Sequence, residues 1–217
     1  MKFLYATDLH GDELKYKDIL EHAILAGFDT IILGADLLPK GSNISKLQKN
    51  FLLGFLKEYY KEAEKNEIRL LAFFGNDDLY PLKKHFPGKL FDKEEIIEGI
   101  SFLPYHFVPD YPFGLKDACK LDSKKWKRPP QDGVIPRDGY LNGIPEIDEY
   151  FAKKGTIEED LCALKTKDVF VVHCPPASYD LDVCMNGQRV GSIAVRDWIE
   201  KMQPKLVLCG HIHESFY

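Results

Sequence analysis

The sequence predicts an α/β fold in which short buried strands alternate with amphipathic helices. Five apolar runs rich in β-branched and aromatic residues are typical of strands that are covered on both faces. They are KFLYAT (2–7), TIIL (30–33), RLLAFF (69–74), DVFVV (168–172) and KLVLC (205–209). Helical patterns separate these runs, and this alternation is the pattern of an α/β protein.

The predicted helices have recognisable ends. The first covers residues 12–26, with Asp12 as its N-cap, and it ends at Gly27. The other three are predicted at 45–65, from the capping box of Thr156 and Glu159 onward, and from Ser192 to the residue before Pro204.

Composition limits the class of protein. The chain has 217 residues, 45% of them hydrophobic and 29% charged, which suits one globular domain over residues 1–217. The net charge of -5 argues against tight binding to polymeric nucleic acid. No apolar run is long enough for a signal peptide or a membrane span, and the five cysteines have no framework spacing. We therefore expect a cytoplasmic protein with reduced thiols and no membrane contact.

Residues 104–150 differ from the rest of the chain because they combine many prolines and glycines with scattered aromatic residues. A long irregular segment inside a domain is usually functional or mobile. We predict a flap over one edge of the sheet; the alternative is a surface excursion with no role. The basic cluster KKWKR at 124–128 is interpreted as a solvated face.

Every predicted strand is followed by Asp, Asn or His. The residues concerned are Asp8, His10, Asp36, Asn76, His173, His211 and His213. Ligands of open α/β sheets gather at the carboxyl ends of the strands, so we predict that these seven side chains form one site. The remaining histidines, His22, His85 and His106, follow no predicted strand and are interpreted as structural.

The seven residues offer oxygen and nitrogen donors but no thiolate. They are too many for one catalytic zinc, and they suit two ions that share a carboxylate. Two metals roughly 3.5–4 Å apart clamp the oxygens of an in-line displacement at phosphorus. Mixed imidazole, carboxylate and amide ligands suit Mn, Fe, Zn, Co or Ni, and the sequence does not choose among them.

The order of the motifs resembles the calcineurin-like metallophosphoesterase superfamily. The motifs are D-x-H, G-x-D, G-N-x-D, a His after the fourth strand and G-H-x-H. The stretch GSIAVRDWIEKMQPKLVLCGHIHES is similar to intracellular members. This resemblance spans residues 2–217 and implies a four-layer α/β/β/α sandwich.

The resemblance also implies a role for each ligand. One metal would be held by Asp8, His10 and His213, and the other by Asn76, His173 and His211. Asp36 would bridge the two metals. A bridging hydroxide would then attack a phosphodiester or a small phosphomonoester in line.

The chain departs from the family at Asp77. The family has G-N-H followed by Asp or Glu, and that His contacts the substrate phosphate; this chain has GNDD at 75–78. An ionised Asp77 repels phosphate by about 4 kcal/mol at roughly 4 Å and an effective dielectric near 20. Losing a positioned acid typically costs about 10²–10⁴ in rate. A protonated Asp77, with its pKa raised by Asp78, is the alternative; Asp78 itself is expected to orient its neighbours.

A second departure is the ending at Tyr217, because relatives continue with further strands after G-H-x-H. We expect a reduced second sheet, or one that another subunit completes in a homo-oligomer. The leading hypothesis is a phosphoesterase of low activity acting on a small phosphate ester. One alternative is a metal-binding family member that works as a binding or regulatory module. The other is a nuclease, which the net negative charge of the chain disfavours.

Overall fold

The computed structural model describes residues 1–111, 113–124, 129–165 and 167–215. The strands in this part of the chain are β1 Phe3–Ala6, β2 Thr30–Gly34, β3 Arg69–Phe73, β4 Glu95–Ile97, β5 Ile100–Tyr105, β6 Val108–Pro109, β7 Cys119–Lys120, β8 Val134–Arg137, β9 Tyr140–Gly143, β10 Val169–Val172 and β11 Leu206–Leu208. The helices are α1 Glu13–Ala26, α2 Ile44–Phe51, α3 Lys57–Lys65, α4 Ile147–Lys154, α5 Ile157–Cys162 and α6 Ile193–Met202. A π-helical stretch, Leu52–Leu56, joins α2 to α3, and 3₁₀ turns cover Tyr80–His85 and His213–Ser215.

Two sheets carry the fold. The first has the order β1-β2-β3 and is entirely parallel. The second has the order β11-β10-β5-β4, in which only β4 is antiparallel. In its register, Val169 lies opposite Phe102 on one side and Leu206 on the other. All five predicted strands are confirmed, and each lies in one of these sheets.

The two sheets pack face to face between two helical layers. Successive side chains of a strand point to opposite faces of its sheet. Those on the inner faces fill the space between the two sheets, as Ile32 does in β2 and Val171 does in β10. The side chains on the outer faces pack against the helices. Ile31 and Leu33 contact α1 and α3, and Phe170 contacts Trp198 of α6. The expected four-layer α/β/β/α sandwich is therefore confirmed.

The predicted helix ends are confirmed as well. Asp12 accepts from the backbone N–H groups of the first turn of α1, and Gly27 ends that helix with φ +67°. Thr156 and Glu159 form the capping box of α5, and the Ser192 hydroxyl caps α6. The helix predicted at 45–65 differs, because the π-helical stretch interrupts it around Gly54.

The irregular segment begins later than the sequence predicts. Pro104 and Tyr105 belong to β5, an internal strand of the second sheet, where Pro104 lies opposite Val171. Proline is rare in internal strands because it lacks the N–H donor, so the pattern disfavoured a strand here.

Of the basic cluster at 124–128 only Lys124 is described, and it pairs with Glu159 at 2.8 Å. Residues 125–128 and Tyr217 lie outside the described residues.

None of the helices in the described ranges is long and apolar enough to cross a membrane.

A buried ion pair organises the segment after β5 internally. The Lys116 ammonium donates to Asp110 Oδ1 at 2.7 Å and to the Asp110 carbonyl oxygen at 3.0 Å. Both side chains are at least 90% buried. The second carboxylate oxygen of Asp110 accepts from the Gln131 N–H at 2.9 Å, so the pair joins two distant parts of the segment.

We expect Lys116→Met to destabilise the protein by about 3–5 kcal/mol, because it leaves the Asp110 carboxylate buried without a compensating charge. Urea unfolding at neutral pH measures this loss. Lys153→Met is the matched control, since Lys153 pairs with Glu149 on an exposed face of α4. Equal free energies of unfolding for the two variants would contradict the structural role of the pair.

Candidate metal centre

The carboxyl ends of the parallel strands of both sheets meet at one edge of the sandwich. The ligand atoms form two groups, each within 4.8 Å: Asp8, His10 and His213, and Asp36, His173 and His211. The seventh predicted residue, Asn76, has its Oδ1 at 2.9 Å from His173 Nε2. The structure therefore brings all seven predicted residues together.

Imidazole nitrogens face one another in the first group. His10 Nε2 lies 3.2 Å from His213 Nε2, and His213 Nε2 lies 3.4 Å from Asp8 Oδ1. His213 is half-exposed, so this side of the edge is open to solvent. Three donors directed at one space are what a divalent cation requires.

Asp36 lies between the two groups. Its Oδ2 is 3.5 Å from His173 Nε2 and 3.9 Å from His10 Nε2, so one oxygen faces ligands of both groups. Its Oδ1 accepts from the Asp77 N–H at 2.9 Å, which fixes the orientation of the carboxylate.

Several polar atoms at this edge have no hydrogen bond within the described part of the chain. Asp8 Oδ1 and His211 Nε2 are both buried and make no hydrogen bond, although His213 Nε2 lies 3.4 Å from Asp8 Oδ1. Leaving such groups unpaired is costly, and a bound cation would satisfy both. The donor set and these unpaired atoms fit divalent metals.

Burial and charge set the protonation of the histidines. Burial lowers the pKa of His10 to about 4 and that of His211 to about 3, so both are neutral at pH 7, as ligands must be. Burial also lowers the pKa of His173, but the adjacent Asp36 carboxylate outweighs it and raises that pKa to about 9. The two side chains lie within ion-pair distance, with 3.5 Å between His173 Nε2 and Asp36 Oδ2.

Strained backbone accompanies these residues. Asp8, His10, Asp36 and His211 all have φ between 45° and 75°, a region that non-glycine residues seldom adopt. Such strain costs on the order of 1–3 kcal/mol per residue and clusters at functional sites.

Two glycines allow the strand ends to approach closely. A Cβ on Gly75 would lie 2.1 Å from Asp36 Oδ1, and one on Gly210 would lie 2.3 Å from Asp8 Oδ2. The glycines of the G-N-x-D and G-H-x-H motifs are therefore steric requirements of the carboxylate positions.

The sequence matches the family model of calcineurin-like phosphoesterases over residues 1–215. The chain belongs to this family. Family membership supports metal-dependent phosphoesterase chemistry in general terms, and the Asp and His groups at the strand ends agree with it.

Comparison with solved structures supports the fold. One crystal structure aligns with a TM-score of 0.56 at 13% identity, over 97% of this chain and 83% of that chain, and at this identity the likeness concerns the fold alone. The crystal structure of TT1561 of Thermus thermophilus aligns with a TM-score of 0.48 at 16% identity, over 95% of this chain and 80% of its own. No curated protein matched the sequence.

Asp78, the last residue of the GNDD stretch, is buried and connects two ligand loops. Its carboxylate accepts from the N–H groups of Leu37 at 3.0 Å, Leu38 at 2.8 Å and Gly75 at 2.9 Å. Burial, followed by the charge of Asp36, raises the pKa of Asp78 to about 7. These bonds position the backbone that follows Asp36 and the backbone of Gly75 beside it.

Asp77 is paired with a lysine that the sequence did not indicate. Lys40 Nζ lies 2.5 Å from Asp77 Oδ2, and the Asn76 amide donates to Asp77 Oδ1 at 3.0 Å. Burial and the Asp36 carboxylate raise the pKa of Asp77, while Lys40 opposes them. Asp77 also forms a third ligand-like group with His10 and Asp36.

His106 was missed by the strand-end rule because β5 was missed. It directly follows β5, whose neighbour β10 precedes His173. From the later part of the same segment, Phe113 packs its ring 4.2 Å from the ring of His211. The segment therefore contacts the edge that carries the ligands.

We expect Gly75→Ala to weaken metal binding about 10- to 100-fold, because the added methyl group must displace the Asp36 carboxylate. Calorimetric titration of the metal-free protein with Mn²⁺ measures the affinity. Gly54→Ala is the control, since nothing lies within 4 Å of its added methyl group. Wild-type affinity in Gly75→Ala would refute the steric requirement.

Proposed function

We propose that this protein hydrolyses a phosphodiester or a small phosphomonoester with the help of two divalent ions of Mn, Fe, Zn, Co or Ni. The observation that carries the proposal is the position of Asp36 Oδ2 between His10 and His173. Metal ions at such a site supply Lewis acidity toward phosphoryl oxygens and a nucleophile from water at neutral pH.

The chain's own residues divide the work of holding these ions. Asp8, His10 and His213 would hold one, and Asn76, His173 and His211 the other, with Asp36 shared. Only Asp8 and Asp36 among the seven donors are anionic, so two divalent ions leave the site with net positive charge. A positive site attracts a phosphate ester and opposes its charge build-up during displacement.

Lys40 reduces the electrostatic repulsion between Asp77 and a substrate phosphate. An isolated carboxylate there would repel phosphate, but the ammonium 2.5 Å away offsets that charge. Lys40 is half-exposed, so its ammonium is accessible to an incoming anion. The pair supports an active enzyme over a module that only binds metal.

We also propose a cytoplasmic location. All five cysteines are free thiols, and disulfides are rare in the cytosol.

The wild-type protein should hydrolyse bis-p-nitrophenyl phosphate or p-nitrophenyl phosphate when supplied with one of the five divalent metals, and chelation should abolish the activity. Asp36→Asn should lower the rate at least about 100-fold, because it removes the shared anionic ligand. Asp18→Asn, on the exposed face of α1, is the charge-matched control. Turnover that survives Asp36→Asn would refute the shared-ligand assignment. Two bound ions without turnover would favour the binding or regulatory module.

Asp77→His should raise the rate, by up to about 100-fold, because it restores a hydrogen-bond donor where the family has one. Asp77→Asn is the companion variant, since it removes the negative charge without adding an imidazole. Comparing kcat for the two variants separates charge from proton donation. An unchanged or lower rate in Asp77→His with full metal content would contradict this account of the missing acid.

A further inference from the structure

A cavity of about 340 Å³ lies beside the candidate metal centre. Its lining includes four aromatic rings and two charged side chains: Tyr80, His106, Phe107, Tyr150, Asp117 and Lys154. Gly75 also forms part of its wall, and this glycine directly abuts Asp36. The cavity therefore adjoins the ligand edge at Gly75, and its volume lies in the range of small-molecule sites, about 300–1,000 Å³.

The aromatic rings present flat surfaces. Tyr80 and His106 are within 8° of parallel with centroids 6.1 Å apart, and the His106 and Phe107 centroids are 4.0 Å apart. Tyr80 is about one-third exposed, so its ring is accessible from the cavity. Surfaces of this kind bind other planar rings by stacking.

Polar groups among these rings argue against an alkyl chain as the occupant. The Lys154 ammonium donates to the carbonyl oxygens of Lys116 and Asp117 at 3.1 and 2.7 Å, and it makes no ion pair within the described chain. The Asp117 carboxylate lines the cavity, and its Oδ2 has no hydrogen bond from any described residue. An occupant with both a planar face and polar edges matches this lining, whereas a hydrocarbon chain would leave Asp117 Oδ2 buried without a hydrogen bond.

We propose that the cavity binds the planar nitrogen heterocycle of a nucleotide-like phosphate ester whose phosphate lies at the metal centre. The inference rests on the proposed function for the position of the phosphate. Stacking on Tyr80 and His106 holds the ring, and the polar side chains contact its edge. This arrangement names the substrate class that the sequence leaves open.

Direct binding tests the cavity without turnover. Saturation-transfer NMR on the metal-free protein, with adenosine and guanosine as probes, should show transfer to the base protons, and ribose should show none. Tyr80→Ala should weaken nucleoside binding about 5- to 100-fold, because it removes a stacking surface. Tyr140→Ala is the control, since Tyr140 lies exposed on the β8–β9 hairpin outside the cavity lining.

Selectivity between substrates is the second readout. Phosphate release from AMP and GMP should be preferred over release from glycerol 2-phosphate in kcat/KM, and His106→Ala should reduce that preference more than His106→Phe does. Nucleosides that bind no better than ribose, or equal binding by Tyr80→Ala and Tyr140→Ala, would overturn the proposal. Nucleoside binding that depends on Tyr80, in a protein without turnover, would support the cavity assignment and refute the phosphoesterase.

Discussion

Asp36 is the constraint on which the rest of the site depends. It follows the central strand of the first sheet, and its two oxygens have separate tasks: Oδ2 faces His10 and His173, and Oδ1 is fixed by the Asp77 N–H. Its charge raises the pKa of His173 and contributes to the raised pKa of both Asp77 and Asp78. One buried carboxylate thus sets the protonation of its neighbours on two other strand ends.

The sandwich makes this arrangement attainable because both sheets end at the same edge. The His211 N–H of the second sheet donates to Asp8 Oδ2 of the first at 2.9 Å, so the sheets are joined beside the ligands. Gly75 and Gly210 permit the approach, and left-handed backbone turns the ligand side chains inward. The site is a property of two sheets meeting, and no single loop contains it.

Much of the fold and most of the candidate ligands could be predicted because the sequence signals for them are local. Each ligand follows a continuous apolar strand, so its position depended only on finding the strand. The same rule would have singled out His106, which follows β5 and lines the neighbouring cavity, but Pro104 disfavoured the prediction of that strand. Lys40 had no comparable signal, since its contact with Asp77 depends on how the loops after β2 and β3 fold together. Pairing between loops is set by tertiary structure, and residue type alone does not predict it.

The Lys40–Asp77 pair changes how the GNDD motif at 75–78 is interpreted. A histidine supplies a directed hydrogen bond, whereas a lysine supplies a mobile point charge on a flexible stem. A point charge stabilises an anion from many directions but orients it weakly. Orientation would then have to come from elsewhere in the substrate, and the aromatic cavity beside Gly75 is positioned to provide it. A lysine in place of a directed hydrogen-bond donor and a ring-binding cavity beside it are consistent with one proposed design, in which the group attached to the phosphate determines how the substrate is aligned.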